Sequence, residues 1–374
     1  SEGVYTNGAL NQKIIMKETR EEMETKVLSI IVPTYKAEQF LDKGLSSFIL
    51  DDGLMDKLEV IVVDDGTPDN SVEVAKKYIS RYPGTFRVLS KKNGGHGSAI
   101  NAGIQVAEGK YFQVVDADDW VDTDVLSDIV EMLEKNDADA FIHAHRTYDI
   151  STEQIEHKHV RCPDESKQYN LQQMMSFWDD IYWGLTFHGV LYNTEFYRQL
   201  GYSLIEGVYY EDQEYSTIPL AFAQKIRIYD GELYVYRIGD INQSVSTKSL
   251  IKRLPDLEQV IIRLAQGCSL KEKFAAGGER YWLKKLTKCV TDYYHVALII
   301  NSDKRAGRKR VKELNRKLRG EYPWLYDMCH AKYMIFDVCS HLHMSEHMYT
   351  VTIGSLTELR SRMKRANKLP LECV

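Results

Sequence analysis

Long apolar runs are missing from this sequence, and so are paired cysteines. Across 374 residues no stretch approaches the roughly 18 apolar residues a spanning helix needs, so no transmembrane helix is expected. The six cysteines stand at 162, 268, 289, 329, 339 and 373, with no C-x-x-C among them. That spacing argues against a zinc ribbon or a disulfide framework and suits a reducing, cytoplasmic compartment. Residues 1–26 contain no apolar h-region, so a signal peptide is not expected and the segment reads as an N-terminal extension. A strong excess of one charge is also lacking: 48 Lys and Arg stand against 54 Asp and Glu, for a net charge of −6. Such a chain is not a nucleic-acid binder as a whole. The Rossmann pattern G-x-G-x-x-G and the P-loop G-K-[ST] are both absent. Nothing in the sequence addresses oligomeric state.

What is present is an alternation of strand and helix signals from Val27 to about Tyr148. The apolar runs Leu28–Val32, Glu59–Val63, Phe86–Leu89, Tyr111–Val115 and Ala138–His145 read as five strands. Helical spacing over Ala37–Leu50, Ser71–Tyr78 and Ser98–Ala107 separates them. Near-continuous apolar strands with helices between predict an α/β fold, a mostly parallel sheet covered on both faces. Residues 150–248 are more mixed and rich in aromatics, and from Ser249 the pattern is helical and charged. The expected division is therefore a catalytic domain over 27–248, with a nucleotide-binding half (27–120) and an acceptor half (121–248), and a helical domain over 249–374.

Ligands of such sheets bind beyond the carboxyl ends of the strands, and polar clusters follow three of those ends. Pro33-Thr34-Tyr35 follows the first, Asp64-Asp65-Gly66 the second and Asp116-Ala117-Asp118-Asp119 the fourth. Carboxylates at i and i+2 on a tight loop can share a hard cation, with substrate phosphates completing its shell. A solvated acidic turn is the alternative, with Asp119 as a helix cap. Asp65 is placed to accept from a ribose hydroxyl or a base N–H, or else belongs to an ordinary turn with Thr67 or Asp69 capping the next helix. Asn93-Gly94-Gly95-His96-Gly97-Ser98 would bring backbone N–H groups to an anion at a helix start, or simply lets the helix pack closely. Glu211-Asp212, flanked by Tyr209 and Tyr210, offers a partly desolvated base, or complements a helix dipole. Arg237 and the hydroxyls near Ser244 offer a clamp for a diphosphate, or belong to an ordinary edge strand. His341, His343 and His347 lack a fourth ligand and read as structural or solvated histidines.

Taken together, SIIVPTY, VIVVDDGTPDNS, KKNGGHGSAINAGI, GKYFQVVDADDW, YYEDQEY and YVYRIGDINQSVS resemble the family-2 inverting glycosyltransferases of GT-A fold, of the bacterial polysaccharide-biosynthesis type, in the family's order over Val27–Ser246. The resemblance implies a nucleotide-sugar donor, usually a UDP-sugar, a glycan or lipid-linked saccharide acceptor, and Mn²⁺ or Mg²⁺. It assigns the base and ribose to Pro33, Thr34, Tyr35 and Asp65, and the D-x-D to Asp116, Ala117 and Asp118, with Asp118 closest to the metal. It assigns the general base to Asp212, with Glu211 beside it, and the closing loop to Arg237 and the Ser244 region. Lys92, Asn93 and Gly94 fall in the donor's glycine loop. Two departures stand out: His96 interrupts that loop, and Ile100 replaces the Arg that often precedes the helix Asn. Acceptor choice rests on pocket residues within 150–220, including Trp183, His188 and Tyr209.

The segment 301–320 holds nine Lys and Arg against two acids. Such a helix docks on anionic lipid at the inner face of the membrane, or is a solvated face. Two rival functions compete with glycosyl transfer. A sugar nucleotidyltransferase should carry a Gly-rich signature with Arg and Lys at the first strand, where this chain has PTYKAEQF. A catalytically inactive nucleotide-sugar-binding module should show decay of the acidic site, yet Asp65, Asp116, Asp118 and Asp212 are all present.

Overall fold

The computed structural model describes residues 26–240 and 246–354. These fall into two compact units, one of residues up to 240 with 271–281, the other of 241–270 with 282 onward. The described residues of the first form ten strands: β1 Leu28–Thr34, β2 Leu58–Asp64, β3 Phe86–Ser90, β4 Tyr111–Val114, β5 Trp120–Val121, β6 Ala140–Asp149, β7 Gln154–Lys158, β8 Gln168–Tyr169, β9 Val190–Asn193 and β10 Ile226–Ile238. The sheet runs in the order β3-β2-β1-β4-β9-β6-β10-β5, with β7 on β6 and β8 on β10.

The sheet is mixed. Strands β3, β2, β1 and β4 are parallel to one another, as the sequence predicts, and so are β6 and β10. The short strand β9 enters antiparallel between β4 and β6, a position that apolar runs alone do not reveal. All seven residues of β1 and of β2 are buried, because helices cover both faces. Their register aligns Thr34 with Asp64 and Asp64 with Ser90, and Ile31 with Val114. The polar clusters that follow β1, β2 and β4 therefore leave the sheet at one edge.

Three helices carry that edge: α1 Leu41–Ser46, α2 Ser71–Arg81 and α3 His96–Val106. The amphipathic stretch from Ala37 to Leu50 yields only α1, flanked by turns in which Phe40 N–H donates to the Ala37 carbonyl and Ser47 N–H to that of Gly44. A fourth helix, α4 Thr123–Glu134, is capped by Asp122, whose carboxylate accepts from Val125 N–H at 3.2 Å. The expected role of Asp119 as a cap is thus corrected: it lies three residues earlier and is buried.

The second unit is helical, containing α5 Leu254–Gln266, α6 Gly278–His295 from residue 282, α7 Lys304–Glu321 and α8 Pro323–His341. Its buried side includes Trp282, whose indole donates to the Leu264 carbonyl at 2.8 Å, and Tyr294, which donates to Asn315 at 2.6 Å. No helix among the described residues is long and apolar enough to cross a membrane.

Candidate active site

The acidic loop after β4 is held from behind by β10. Trp120 and Val121 pair antiparallel with Val235 and Tyr234, which draws the loop under the exit of β10. There Asp119 accepts from the Tyr234 hydroxyl at 2.6 Å and from Arg237 N–H at 2.7 Å. The same hydroxyl accepts from Asp116 N–H at 3.1 Å. Asp119 is thus a structural acid that orients its neighbours.

Asp116 and Asp118 point outward from this anchor. The Arg237 guanidinium lies 3.7 Å from Asp118 and 3.3 Å from Asp240, and packs over the Phe40 ring at 4.4 Å. Burial, then repulsion from Asp116, pushes the Asp118 carboxyl up to about 6. Burial and repulsion from Asp118 and Asp116 hold Asp119 well above the usual carboxylate range. Crowded, partly desolvated carboxylates of this kind favour a nearby cation. Oxygens of Asp116 and Asp119 and a ring nitrogen of His188 all lie within 4.8 Å of one another. Burial keeps the His188 imidazole down to about 4 despite Asp116, so it is neutral and able to ligate. This oxygen-rich set with one imidazole fits Mn²⁺, and its carboxylates alone would suit Mg²⁺; Asp118, expected closest to the metal, is not among the three. The sequence marks His188 only as a pocket residue; its approach to the acidic loop is set by its ring stacking on Tyr236 at 4.2 Å.

His96 lies between the acidic loop and the Glu211 segment. Its Nδ1 is 2.5 Å from Glu211 and its Nε2 is 2.8 Å from Asp116. Burial disfavours a charged ring here, but the Asp116 and Glu211 carboxylates outweigh it and hold His96 well above its ordinary value. The imidazolium donates to both acids and is responsible for the lowered Asp116 carboxyl. Close packing of the glycine loop permits this. A β-carbon on Gly97 would collide with the Ile205 carbonyl and press on Glu211, and Gly95 has φ +88° with no space toward Gly207.

Glu211 is buried and precedes the short helix Asp212–Tyr215. Tyr210, just before it, holds φ 74°, a left-handed conformation that costs a non-glycine residue about 1–3 kcal/mol. Asp212 is half-buried and accepts from Gln213 at 2.9 Å. The Tyr236 phenol is raised by burial and then by the charges of Asp119, Asp116, Asp118 and Asp212. All four acids thus bear electrostatically on one phenol, although Asp212 is distant from the others in sequence.

On the opposite side, Asp65 is buried and its carboxylate is engaged by Lys91 Nζ at 2.7 Å, Gly94 N–H at 2.9 Å and Gly95 N–H at 2.8 Å. Asn93 donates to the Asp65 carbonyl at 2.8 Å. Asp65 thus ties the glycine loop to β2. Thr34 is buried and donates to the Val32 carbonyl, Pro33 lies within β1, and Tyr35 presents an exposed ring. Lys92 is exposed, and the lysine that reaches Asp65 is its neighbour Lys91. Ile100 is fully buried, so it does not take the place of a phosphate-facing Arg. At the start of α2, Asp69 accepts from Ser71 N–H at 3.2 Å and from the Ser71 hydroxyl at 2.6 Å. Ser244 lies outside the described residues.

Residues 29–201 match the family model described as Glycosyl transferase family 2. The chain is 31% identical over 219 residues to the uncharacterized glycosyltransferase EpsJ of Bacillus subtilis, covering 56% of this chain and 61% of that protein. It is 40% identical over 115 residues to the uncharacterized glycosyltransferase YibD of Escherichia coli, covering 31% of this chain and 33% of the relative. The chain thus spans less than two thirds of these relatives. In fold it resembles residues 1–349 of TarS from Staphylococcus aureus, solved in complex with UDP-GlcNAc, with TM-score 0.55 at 17% identity over 85% of this chain and 92% of that one. Residues 29–201 are thus similar to the family-2 glycosyltransferases, and the fold is like that of TarS.

Proposed function

We propose that this chain transfers a sugar from a nucleotide-diphosphate donor, a UDP-sugar, to a hydroxyl of a glycan or lipid-linked saccharide, inverting the anomeric centre in a single displacement. The observation that carries this reading is the acidic loop anchored by Asp119 on Tyr234, with Arg237 3.7 Å from Asp118 and the charge of Asp212 felt by the same Tyr236 phenol as those of Asp116 and Asp118. Two carboxylates able to hold a cation, with one arginine, make a donor side, and Asp212 offers a base for the acceptor. Support also comes from relatives: TarS of S. aureus is named a poly(ribitol-phosphate) beta-N-acetylglucosaminyltransferase, and GgaB of B. subtilis a minor teichoic acid biosynthesis protein.

In this reading residues 27–120 handle the donor and 121–248 the acceptor, with 249–374 a helical accessory domain. Tyr35, Pro33 and Thr34 border the base, and Asp65, Asn93 and Gly94 shape the loop beside ribose and diphosphate. Asp116 and Asp118 hold Mn²⁺ or Mg²⁺, with Asp119 and His188 within reach. When bound, the ion supplies positive charge against the diphosphate. Arg237 places a second positive charge where the leaving group gathers charge. Asp212 accepts the proton of the acceptor hydroxyl, whose oxygen forms the new bond to the anomeric carbon as the bond to the diphosphate breaks. Glu211, held by His96, positions this segment. No second nucleophilic carboxylate is required.

The test is incubation with a panel of UDP-sugars and Mn²⁺, following UDP release. Turnover by the wild type, lost in Asp118→Asn, is the expected result. Asp212→Asn should bind the donor normally and lose about 10²–10⁴-fold in kcat. Turnover that survives Asp118→Asn removes the metal assignment, and lost donor binding in Asp212→Asn removes the base assignment.

The exposed cations of α7 support a further element of this reading: peripheral contact with anionic lipid at the inner face of the membrane. Lys309, Lys312 and Arg316 are solvent-facing, whereas Arg308 is partly buried and donates to the Ser340 carbonyl.

A further inference from the structure

Away from the acidic loop, β7 and β10 bring a second set of metal-ligating side chains together. His157 and His159 alternate along the edge strand β7 and the residue after it, so both side chains fall on one side. Their rings stack, with centroids 5.8 Å apart and planes 13° apart. His157 Nδ1 lies 2.8 and 2.9 Å from the two Glu232 oxygens. His159 Nδ1 lies 3.3 Å from Asp230 and 3.9 Å from Glu232. One ligand atom each from His157, His159 and Glu232 falls within 4.8 Å of the others.

The backbone explains the convergence. The pairing of β10 with β6 shifts register between Tyr229 and Glu232 and again between Glu232 and Tyr234. A bulge of this kind re-aims side chains, and here it turns Asp230 and Glu232 toward histidines that are carried by a strand β10 does not pair with. Asp230 also accepts from Val160 N–H at 2.9 Å, which fixes its carboxylate. Arg146 stands 3.6 Å from Glu232, but its closer partner is Asp122, at 2.9 Å. Glu232 can thus give up the contact with Arg146 without leaving the arginine unpaired.

From this geometry we propose a second metal site, separate from the acidic loop, in which His157, His159 and Glu232, with Asp230 as fourth ligand, bind a divalent transition ion of the zinc class. Two imidazoles with carboxylates favour Zn²⁺ over Mg²⁺, which prefers oxygen alone. Zinc bonds of about 2.0–2.2 Å require ligand atoms only a little over ~3 Å apart, close to the spacings already present. The ion pins the exposed edge strand β7 to the bulge of β10. It takes no part in sugar transfer.

The test is titration of the full chain with ZnCl₂ in excess Mg²⁺, by calorimetry and by melting temperature, together with Co²⁺ absorption spectra. We expect about one equivalent of tightly held Zn²⁺, a rise in melting temperature on binding, and Co²⁺ bands without thiolate charge transfer. Binding and the thermal shift should vanish in the double variant His157→Gln, His159→Gln, whose substitutions are at exposed positions, and persist in Asp118→Asn. Absence of Zn²⁺ binding, binding retained in the double variant, binding lost in Asp118→Asn, or a thiolate spectrum each overturns the proposal.

Discussion

His96 Nδ1 sits 2.5 Å from the Glu211 carboxylate, across 115 positions of chain. The contact joins the glycine loop to the segment that carries Asp212. Because the other ring nitrogen reaches Asp116, one imidazolium bridges the Glu211 segment and the acidic loop. Removing it leaves buried Glu211 and half-buried Asp116 facing each other without a cation. His96→Ala should therefore cost about 1–3 kcal/mol in urea denaturation, the range reflecting a ring that is one third exposed. His96→Gln, which keeps a donor, should cost less. Equal stability of His96→Ala and wild type would show that the bridge contributes nothing.

Tyr234 and Asp119 form the second coupling. Tyr234→Phe removes the donor to Asp119 and the acceptor of Asp116 N–H. Asp119→Ala strands both the Tyr234 hydroxyl and Arg237 N–H. Each single variant should lose about 1–3 kcal/mol. The double variant should lose less than the sum, because both disrupt the same hydrogen bond. Strict additivity in equilibrium unfolding would contradict a shared network.

Acid should destabilise the first unit through buried histidines. Burial holds His143 down to about 4, with a hydrogen bond to the Ala144 carbonyl only partly compensating, and burial takes His145 to about 2. In the unfolded chain such groups take up a proton near pH ~6.5. The folded state resists protonation, so the unfolded state binds more protons as the pH falls, and stability is lost from about pH 6.5 down toward 4. His143 alone should account for roughly 3 kcal/mol over that window. Melting temperatures between about pH 7.5 and 4.5 should fall less steeply for His143→Asn than for the wild type, and parallel slopes would refute the assignment.

Flotation with anionic vesicles tests the basic helix. Each exposed Lys or Arg at a charged bilayer contributes about 1 kcal/mol. Neutralising Lys309, Lys312 and Arg316 to Gln should abolish flotation with anionic lipid, and the wild type should ignore neutral vesicles. Arg308 is left intact because it braces Ser340. Unchanged flotation of the triple variant would exclude α7 as the contact.

Much of the fold was legible in the sequence. Strands β1, β2 and β4 stand where apolar runs predict, because a strand buried on both faces must be apolar throughout; β3, at the end of the sheet and only partly buried, also falls on its predicted run. The acidic and glycine clusters follow those strands, so the register that aligns Thr34 with Asp64 carries them to one edge. Strand β9 was not legible, because four residues between short helices give no usable period.

The sequence by itself determined which chemical groups would meet: carboxylates, a glycine loop and one arginine, each attached to the end of a strand. The division of labour among them was a matter for the tertiary structure. Three aspartates in VDADD are equivalent in a list of letters, yet β10 buries Asp119 against Tyr234 and leaves Asp118 facing Arg237. Likewise the loop's odd histidine gained a role only when Gly97 let Glu211 approach it. Proximity across more than a hundred residues sets which acids are desolvated, paired or repelled, and no local spacing encodes it.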